Sequence, residues 1–265
     1  LLGLLVAVGL PAAGRAAEPR FQFRASAIFE TGRFGTRTTT NTLFVPFTLR
    51  YLGRTFDLGV TVPVLRQESG PGVIAVEGVP TVVREEEEEE DAALPGAPPR
   101  AARRTASGLG DVVLRGRYYL TDERGPLPAL TPFARVKFPT ADETRGLGTG
   151  ELDYGFGVEL DKRLGRAGLF ADFGYTVRGD PPGLELRNQF AYGAGLAVDL
   201  TSTLRPSLSV EGRTAAVRGR ADPLDLFLDL AYRLSPTSTL TAGVSVGLSN
   251  GSPDLGVSLG HSVRF

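Results

Sequence analysis

The chain has 265 residues, a net charge of −1, 42% hydrophobic content, a single His and no Cys, Met or Trp. Without cysteine there is no disulfide, thiolate nucleophile or zinc–thiolate cluster, and a near-zero charge leaves no electrostatic footprint for nucleic acid. The length suits one large all-β domain or two ordinary ones.

The chain begins with the apolar run LLGLLVAVGL, followed by PAAGRAAEPR. A short apolar region, small residues and then a polar start read as an export signal over residues 1–16, with Gly14 and Ala16 at the small-residue positions before the cut. The run is too short to span a bilayer core of ~30 Å as a helix. Cleavage after Ala16 leaves only residues 17–20 before the first strand, so any gate is expected in an outer loop.

From Phe21 the hydrophobic period is two, the period of a strand whose side chains alternate between faces. Phe21–Glu30, Leu43–Leu52 and Thr55–Arg66 open the series. In the third, Phe56, Leu58, Val60, Val62 and Val64 share one face, and Asp57, Gly59 and Thr61 share the other. Gly110–Thr121, Leu130–Phe138, Leu152–Asp161 and Leu169–Arg178 continue the pattern. Gln189–Leu200, Leu204–Arg213, Leu224–Leu234, Leu240–Leu248 and Leu255–Phe265 complete twelve candidate strands. Each is near the ~9–11 residues that cross a bilayer when tilted. Long connections (Thr31–Thr42, Gln67–Leu109, Pro139–Glu151, Gly179–Asn188, Thr214–Pro223, Ser249–Asp254) alternate with shorter ones, the asymmetry of short periplasmic turns and longer extracellular loops.

A β-sandwich also alternates, but its strands average ~5–6 residues. The even strand count, the strand length and the mid-strand charges favour a closed antiparallel transmembrane β-barrel over residues 17–265, apolar toward lipid and polar toward the lumen. The expected lumen-lining set is Arg24, Arg115, Arg117, Arg135, Lys137, Asp153, Glu159, Asp172, Asp199, Arg205, Glu211, Arg213, Asp225, Asp229 and Arg233. Basic residues dominate from Arg115 to Lys137 and acidic ones from Asp153 to Asp172, which predicts one positive and one negative wall. Gly155, Gly157, Gly174, Gly193, Gly195, Gly243 and Gly247 fall on the polar face, which predicts a wider or more strongly curved C-terminal half.

Three stretches carry a resemblance. SGLGDVVLRGRYYL (Ser107–Leu120), VKFPTADETRGLGTG (Val136–Gly150) and LSNGSPDLGVSLGHSVRF at the C-terminus resemble the outer-membrane proteins named for the meta pathway of phenol degradation. The resemblance implies an outer-membrane barrel passing hydrophobic or aromatic compounds. The chain departs from it in a long acidic insertion before Ser107 and in His261, where an aromatic is more usual. The final Phe265 resembles the C-terminal aromatic that marks outer-membrane proteins for the barrel-assembly machinery.

GLSNG (Gly247–Gly251) fits a G-x-S-x-G nucleophile pattern, with Asp254 and His261 following in hydrolase order. That motif needs a strand-to-helix elbow, and here a short turn joins two strands. Asp254 and His261 lie on one extended strand, about 23 Å apart at ~3.3 Å per residue. No catalytic residue is therefore assigned, and His261 is read as an interfacial ring facing lipid. GLGTG (Gly146–Gly150) lacks the Lys-Ser/Thr and helix of a phosphate cradle and is read as a loop. The Glu85–Asp91 acidic run sits inside a loop expected over Gln67–Ala106, disordered and poised as the gate. Its carboxylates suit a divalent cation but lack the spacing of a dedicated site, so no metal or cofactor is expected.

The sequence thus predicts a non-enzymatic outer-membrane channel of a Gram-negative-type bacterium, passing a small solute passively. Its expected partners are outer-membrane lipid, the assembly machinery and the solute, not nucleic acid, with oligomeric state open. A pore-less structural or surface-interaction barrel and a membrane-embedded lipid hydrolase are the alternatives.

Overall fold

The structure is a computed structural model and describes residues 20–83 and 103–265. The expected export signal and the Glu85–Asp91 run lie outside the described residues. Fifteen strands follow one another: β1 Phe21–Gly32, β2 Thr40–Leu52, β3 Phe56–Ser69, β4 Val73–Val76, β5 Val79–Val82, β6 Arg104–Leu109, β7 Val112–Tyr118, β8 Ala129–Phe138, β9 Asp153–Leu164, β10 Ala167–Val177, β11 Gln189–Val198, β12 Leu204–Arg213, β13 Leu224–Arg233, β14 Ser238–Gly247 and β15 Leu255–Arg264.

β4 and β5 pair only with each other. β6 and β7 both pair with β3 and form one wall strand, so the wall has twelve antiparallel strands. It closes where β1 pairs β15 from Gln22↔Arg264 to Thr31↔Leu255, and closure leaves no open edge. Beyond the register, Phe21 and Phe265 exchange backbone hydrogen bonds of 3.0 and 2.9 Å, and their rings stack at 6.0 Å. The connection between β3 and β6 and those after β8, β10, β12 and β14 sit at one end, with short turns at the other. The long-loop end is called the outer end.

Burial is inverted relative to a water-soluble domain. In β3 exposure alternates strictly from Phe56 to Gln67: Phe56, Leu58, Val60, Val62 and Val64 are exposed, and Asp57, Thr61 and Gln67 are buried. Around the wall the exposed large side chains include Phe156, Phe173, Leu208, Leu228, Val244 and Leu259, while Glu30, Lys137, Asp153 and Glu159 are buried. An apolar exterior around a polar interior is stable only where the exterior meets hydrocarbon.

Two sequence expectations are corrected here. The loop placed at Gln67–Ala106 is shorter at both ends, because Gln67, Glu68 and Ser69 pair with Ala106, Thr105 and Arg104 and extend the wall outward. It also contains an ordered hairpin, β4–β5, in place of unstructured chain. The wall strand expected from Gly110 to Thr121 begins earlier and carries a bulge: Val64 pairs Leu109 and Thr61 pairs Val113, so one extra residue stands opposite β3. The bulge turns Asp111 to the interior, the usual consequence of such an insertion.

Candidate functional site

The interior is organised by the β4–β5 hairpin, which folds down into the barrel from the outer end. Its two turn residues, Glu77 and Gly78, both have positive φ, 53° and 78°, the tight turn that matches strand twist. Gly78 is required twice over, because a Cβ there would also lie 2.4 Å from the Phe44 ring. One side of the hairpin seats on the wall: Ala75 packs in a cluster with Phe44, Leu65 and Leu147, backed by Ile28 and Ala106. The Ala75 amide donates to the Gly146 carbonyl at 2.8 Å, tying the hairpin to the loop after β8.

The turn presents Glu77 to the opposite wall. Arg135 of β8 donates to one carboxylate oxygen at 2.7 Å, and Arg178, just past β10, to the other at 2.8 Å. Arg178 also contacts Asp153 at 2.6 Å, Asp153 contacts Lys137 at 3.0 Å, and Lys137 contacts Asp111 at 3.3 Å. Lys137 donates further to Thr149 at 2.8 Å. Burial pushes the Glu77 carboxyl up, but the two guanidiniums outweigh it and hold it well below the usual carboxylate range.

A second network lies nearer the short-turn end. Asp57 accepts from Arg50, from Arg117 at 2.9 Å and from the Tyr119 hydroxyl at 2.6 Å. Glu159 binds Arg115 at 2.6 Å and Arg117 at 3.1 Å. Burial and the donated bond to Asp57 push the Tyr119 hydroxyl up to about 12. Arg115 also stacks 4.0 Å over the Phe133 ring. At the inner rim Asp199 pairs with Arg163 and, at 2.9 Å, with Arg205; hydrogen bonds from both hold it below its ordinary value despite some burial.

These contacts correct the expected opposing walls. The basic strands β7–β8 and the acidic strands β9–β10 are neighbours, so Arg115, Arg117 and Lys137 pair with Glu159 and Asp153. Their fields cancel locally. On the remaining wall Asp172, Glu211, Arg213, Asp225, Asp229 and Arg233 form no ion pair among the described residues. Arg24 sits on β1 on the same inward face, half-buried.

Several of the polar-face glycines are filled from the neighbouring strand. An added Cβ at Gly193 would meet Asp172 at 2.5 Å, at Gly195 Phe170 at 2.3 Å, and at Gly243 Asp229 at 2.1 Å. At Gly157 it would meet Phe133 at 2.5 Å, and at Gly155 Arg135 at 3.0 Å. Each of these glycines makes room for a large inward side chain on the neighbouring strand.

What stays open lies between the hairpin and strands β8–β13. A cavity of about 130 Å³ is bordered there by Glu77, Phe133, Arg135, Arg178, Arg213 and Phe227. A second, of about 240 Å³, runs along β5 toward the outer loops, between Val82, Ala216 and Asn250. The two share Val79, Thr81, Gln189 and Arg213 and so adjoin on that side of the hairpin.

The expected lumen set omitted Glu77, Arg178, Arg50, Asp57 and Phe133, although the alternation put Asp57 and Arg178 on the polar face. VIAVEGVPTV (Val73–Val82) carries the signal in hindsight, two β-branched runs around a Glu-Gly turn. Ser249, Asp254 and His261 are not assembled: the Ser249 hydroxyl donates to the Asp222 carbonyl at 2.8 Å, and His261 contacts Ser238 at 2.8 Å on the outward face. Among the described residues no group of three or more His, Asp or Glu side chains is placed to hold a metal ion.

Among solved structures the fold is similar to an outer-membrane channel from Pseudomonas putida F1, with a TM-score of 0.68 at 12% identity over 97% of this chain and 100% of that one. It is also similar to the CymD monoaromatic hydrocarbon channel, with a TM-score of 0.52 at 9% identity over 94% and 89% of the two chains. The translocator domain of the autotransporter NalP from Neisseria meningitidis gives 0.51 at 12% identity over 95% and 90%. These likenesses establish a shared outer-membrane barrel fold. Among curated proteins none matches the chain in sequence. The family described as "Putative MetA-pathway of phenol degradation" matches residues 21–265, and the chain belongs to that family.

Proposed function

We propose that the protein is an outer-membrane channel for the passive passage of a small hydrophobic or aromatic solute. The observation that carries this reading is a closed, lipid-facing barrel whose interior is only partly filled, with two adjoining cavities between the inserted hairpin and β8–β13. Phe133 and Phe227 give the first of them ring surface. The named monoaromatic hydrocarbon channel of similar fold supports a solute of this class.

Of the fifteen assigned lumen residues, Arg115, Arg117, Arg135, Lys137, Asp153, Glu159, Asp199 and Arg205 act in this reading as charge-paired walls, and the set around Asp172, Glu211 and Arg213, which forms no ion pair among the described residues, borders the cavity. The signal over residues 1–16 directs export, and Phe265, which closes β15 onto β1, also engages the assembly machinery. Membrane lipid covers the exterior. No enzymatic step is assigned, since Ser249 and His261 are each bonded elsewhere.

The hairpin is the gate of this channel. Ser69 and Arg104 lie directly opposite each other, so residues 70–103 can be replaced by an Asn-Gly turn without disturbing the wall register. In planar bilayers that variant should conduct several-fold more than the parent, an order-of-magnitude expectation for removing an inserted hairpin from a barrel of this size. Unchanged conductance would exclude the hairpin as the gate. No conductance in either protein would favour a pore-less barrel.

A further inference from the structure

We propose that Arg135 and Arg178 form a binding site for the carboxylate of an aromatic monoacid, a site that the hairpin's own Glu77 occupies in the closed barrel. This deepens the channel reading and rests on it for its physiological meaning.

Two guanidiniums from different parts of the wall converge on one carboxylate, each holding its own oxygen at 2.7 and 2.8 Å. Such a fork recognises any carboxylate of suitable approach, not only a tethered one. The fork is built without the hairpin. Arg135 donates to the Thr176 hydroxyl at 2.7 Å, and Arg178 donates to Gln189 at 2.9 Å and to Asp153 at 2.6 Å. Withdrawing Glu77 would leave both side chains positioned.

Charge completes the case. The wall's own members of the network are Arg135, Lys137 and Arg178 against Asp111 and Asp153. Three cations face two anions, and Glu77 supplies the third negative charge. Withdrawing Glu77 leaves this group with one positive charge in excess, which favours another anion in its place. The cavity beside the fork adjoins the one toward the outer loops.

The surroundings define the rest of the ligand. Phe133 and Phe227 border the same cavity and present apolar ring surface beside the fork. Asp172, Glu211, Asp225 and Arg213 also border it, and none forms an ion pair among the described residues. One carboxylate on an aromatic ring matches the fork and the ring surface, and a neutral ring leaves the fork unmatched.

The test is calorimetric titration of the full-length protein, refolded in detergent micelles, with benzoate, phthalate, benzyl alcohol and acetate. Micelles remove any dependence on conduction, and bilayer recordings are made in parallel. Benzoate should bind best. Glu77→Gln should tighten benzoate about tenfold by removing the competing charge, a change well within measurement. The variant with Asn-Gly in place of residues 70–103 should show the same tightening, which covers a misfolded Glu77→Gln. Arg135→Gln with Arg178→Gln should abolish binding. Benzoate affinity unaltered by loss of Glu77, retained by the double arginine variant or matched by benzyl alcohol would overturn the proposal, as would no benzoate binding by any protein. Benzoate binding without bilayer current would retain the site and refute the channel reading; current without binding would do the reverse.

Discussion

Lys137 is among the largest fully buried side chains described, at 1% exposure, and it is a cation. It is accommodated because Asp111, Asp153 and Thr149 surround its ammonium group at 2.8–3.3 Å. Glu77 is the mirror case, an anion whose every charged neighbour in the first contact layer is Arg135 or Arg178, with Lys137 behind them. The sign of its pH response follows. A carboxyl held lower in the folded state than in the unfolded chain stabilises docking above the unfolded value, and the effect is lost only as pH falls through the folded one. An ordinary glutamate is half protonated near about pH 4.3. The hairpin should therefore remain docked at about pH 5 as firmly as at neutrality, and weaken only gradually below that. Hydrogen exchange at the Ala75 amide, whose bond to Gly146 reports docking, gives the measurement after correction for the intrinsic rate. Loss of its protection near that pH would show that the fork does not hold Glu77 ionised.

At the scale of elements, strand and glycine chemistry are coupled across the wall. Gly157 and Gly174 both lie under the Phe133 ring, yet they differ in tolerance. A Cβ at Gly157 would sit 2.2 Å from the Phe173 carbonyl oxygen and 2.8 Å from the Gly174 Cα, backbone atoms that cannot step aside. At Gly174 the same atom would meet only Phe133 at 3.3 Å and the Phe156 carbonyl at 3.7 Å. Gly157→Ala should therefore cost about 1–3 kcal/mol of stability, as overpacking does, and Gly174→Ala well under half as much. Urea unfolding from lipid vesicles measures both, and equal losses would refute the asymmetry. The twelve wall strands were readable from the chain because alternation is a local property: Phe56 to Val64 announces its two faces without reference to any partner. The ion pairs were not, because they depend on closure and register. Arg115 reaches Glu159 across an intervening strand, and nothing in the linear order says that β7–β8 and β9–β10 will share charges and not oppose them. The hairpin was hidden for another reason: the neighbouring acidic run dominates the composition of that loop, and the ten residues Val73–Val82 are a minority of it.

For the whole molecule, the decisive property is which face meets water. Leu228 and Asp229 are adjacent near the middle of β13, and they point to opposite sides of the wall. Leu228 is 58% exposed on the outward face, whereas Asp229 faces inward toward Gly243 and forms no ion pair among the described residues. In a sheet whose exposed face met water, Leu228→Arg would be harmless and would remove an apolar patch. In a barrel within lipid it places a charge in hydrocarbon, at a cost of about 2–4 kcal/mol near the bilayer midplane. Asp229→Asn removes an inward charge that no cation matches and should change stability by less than about 0.5 kcal/mol, the range of substitutions outside packed or paired sites. The pair of variants, refolded into vesicles and unfolded by urea, reads the orientation of the wall directly. A neutral Leu228→Arg would invert the assignment of faces and with it the lumen. A large loss in Asp229→Asn alone would mean that the interior depends on this carboxylate for a partner. The expected result, a penalty on one residue and near neutrality on the next, follows only from a closed wall with lipid outside and a polar interior.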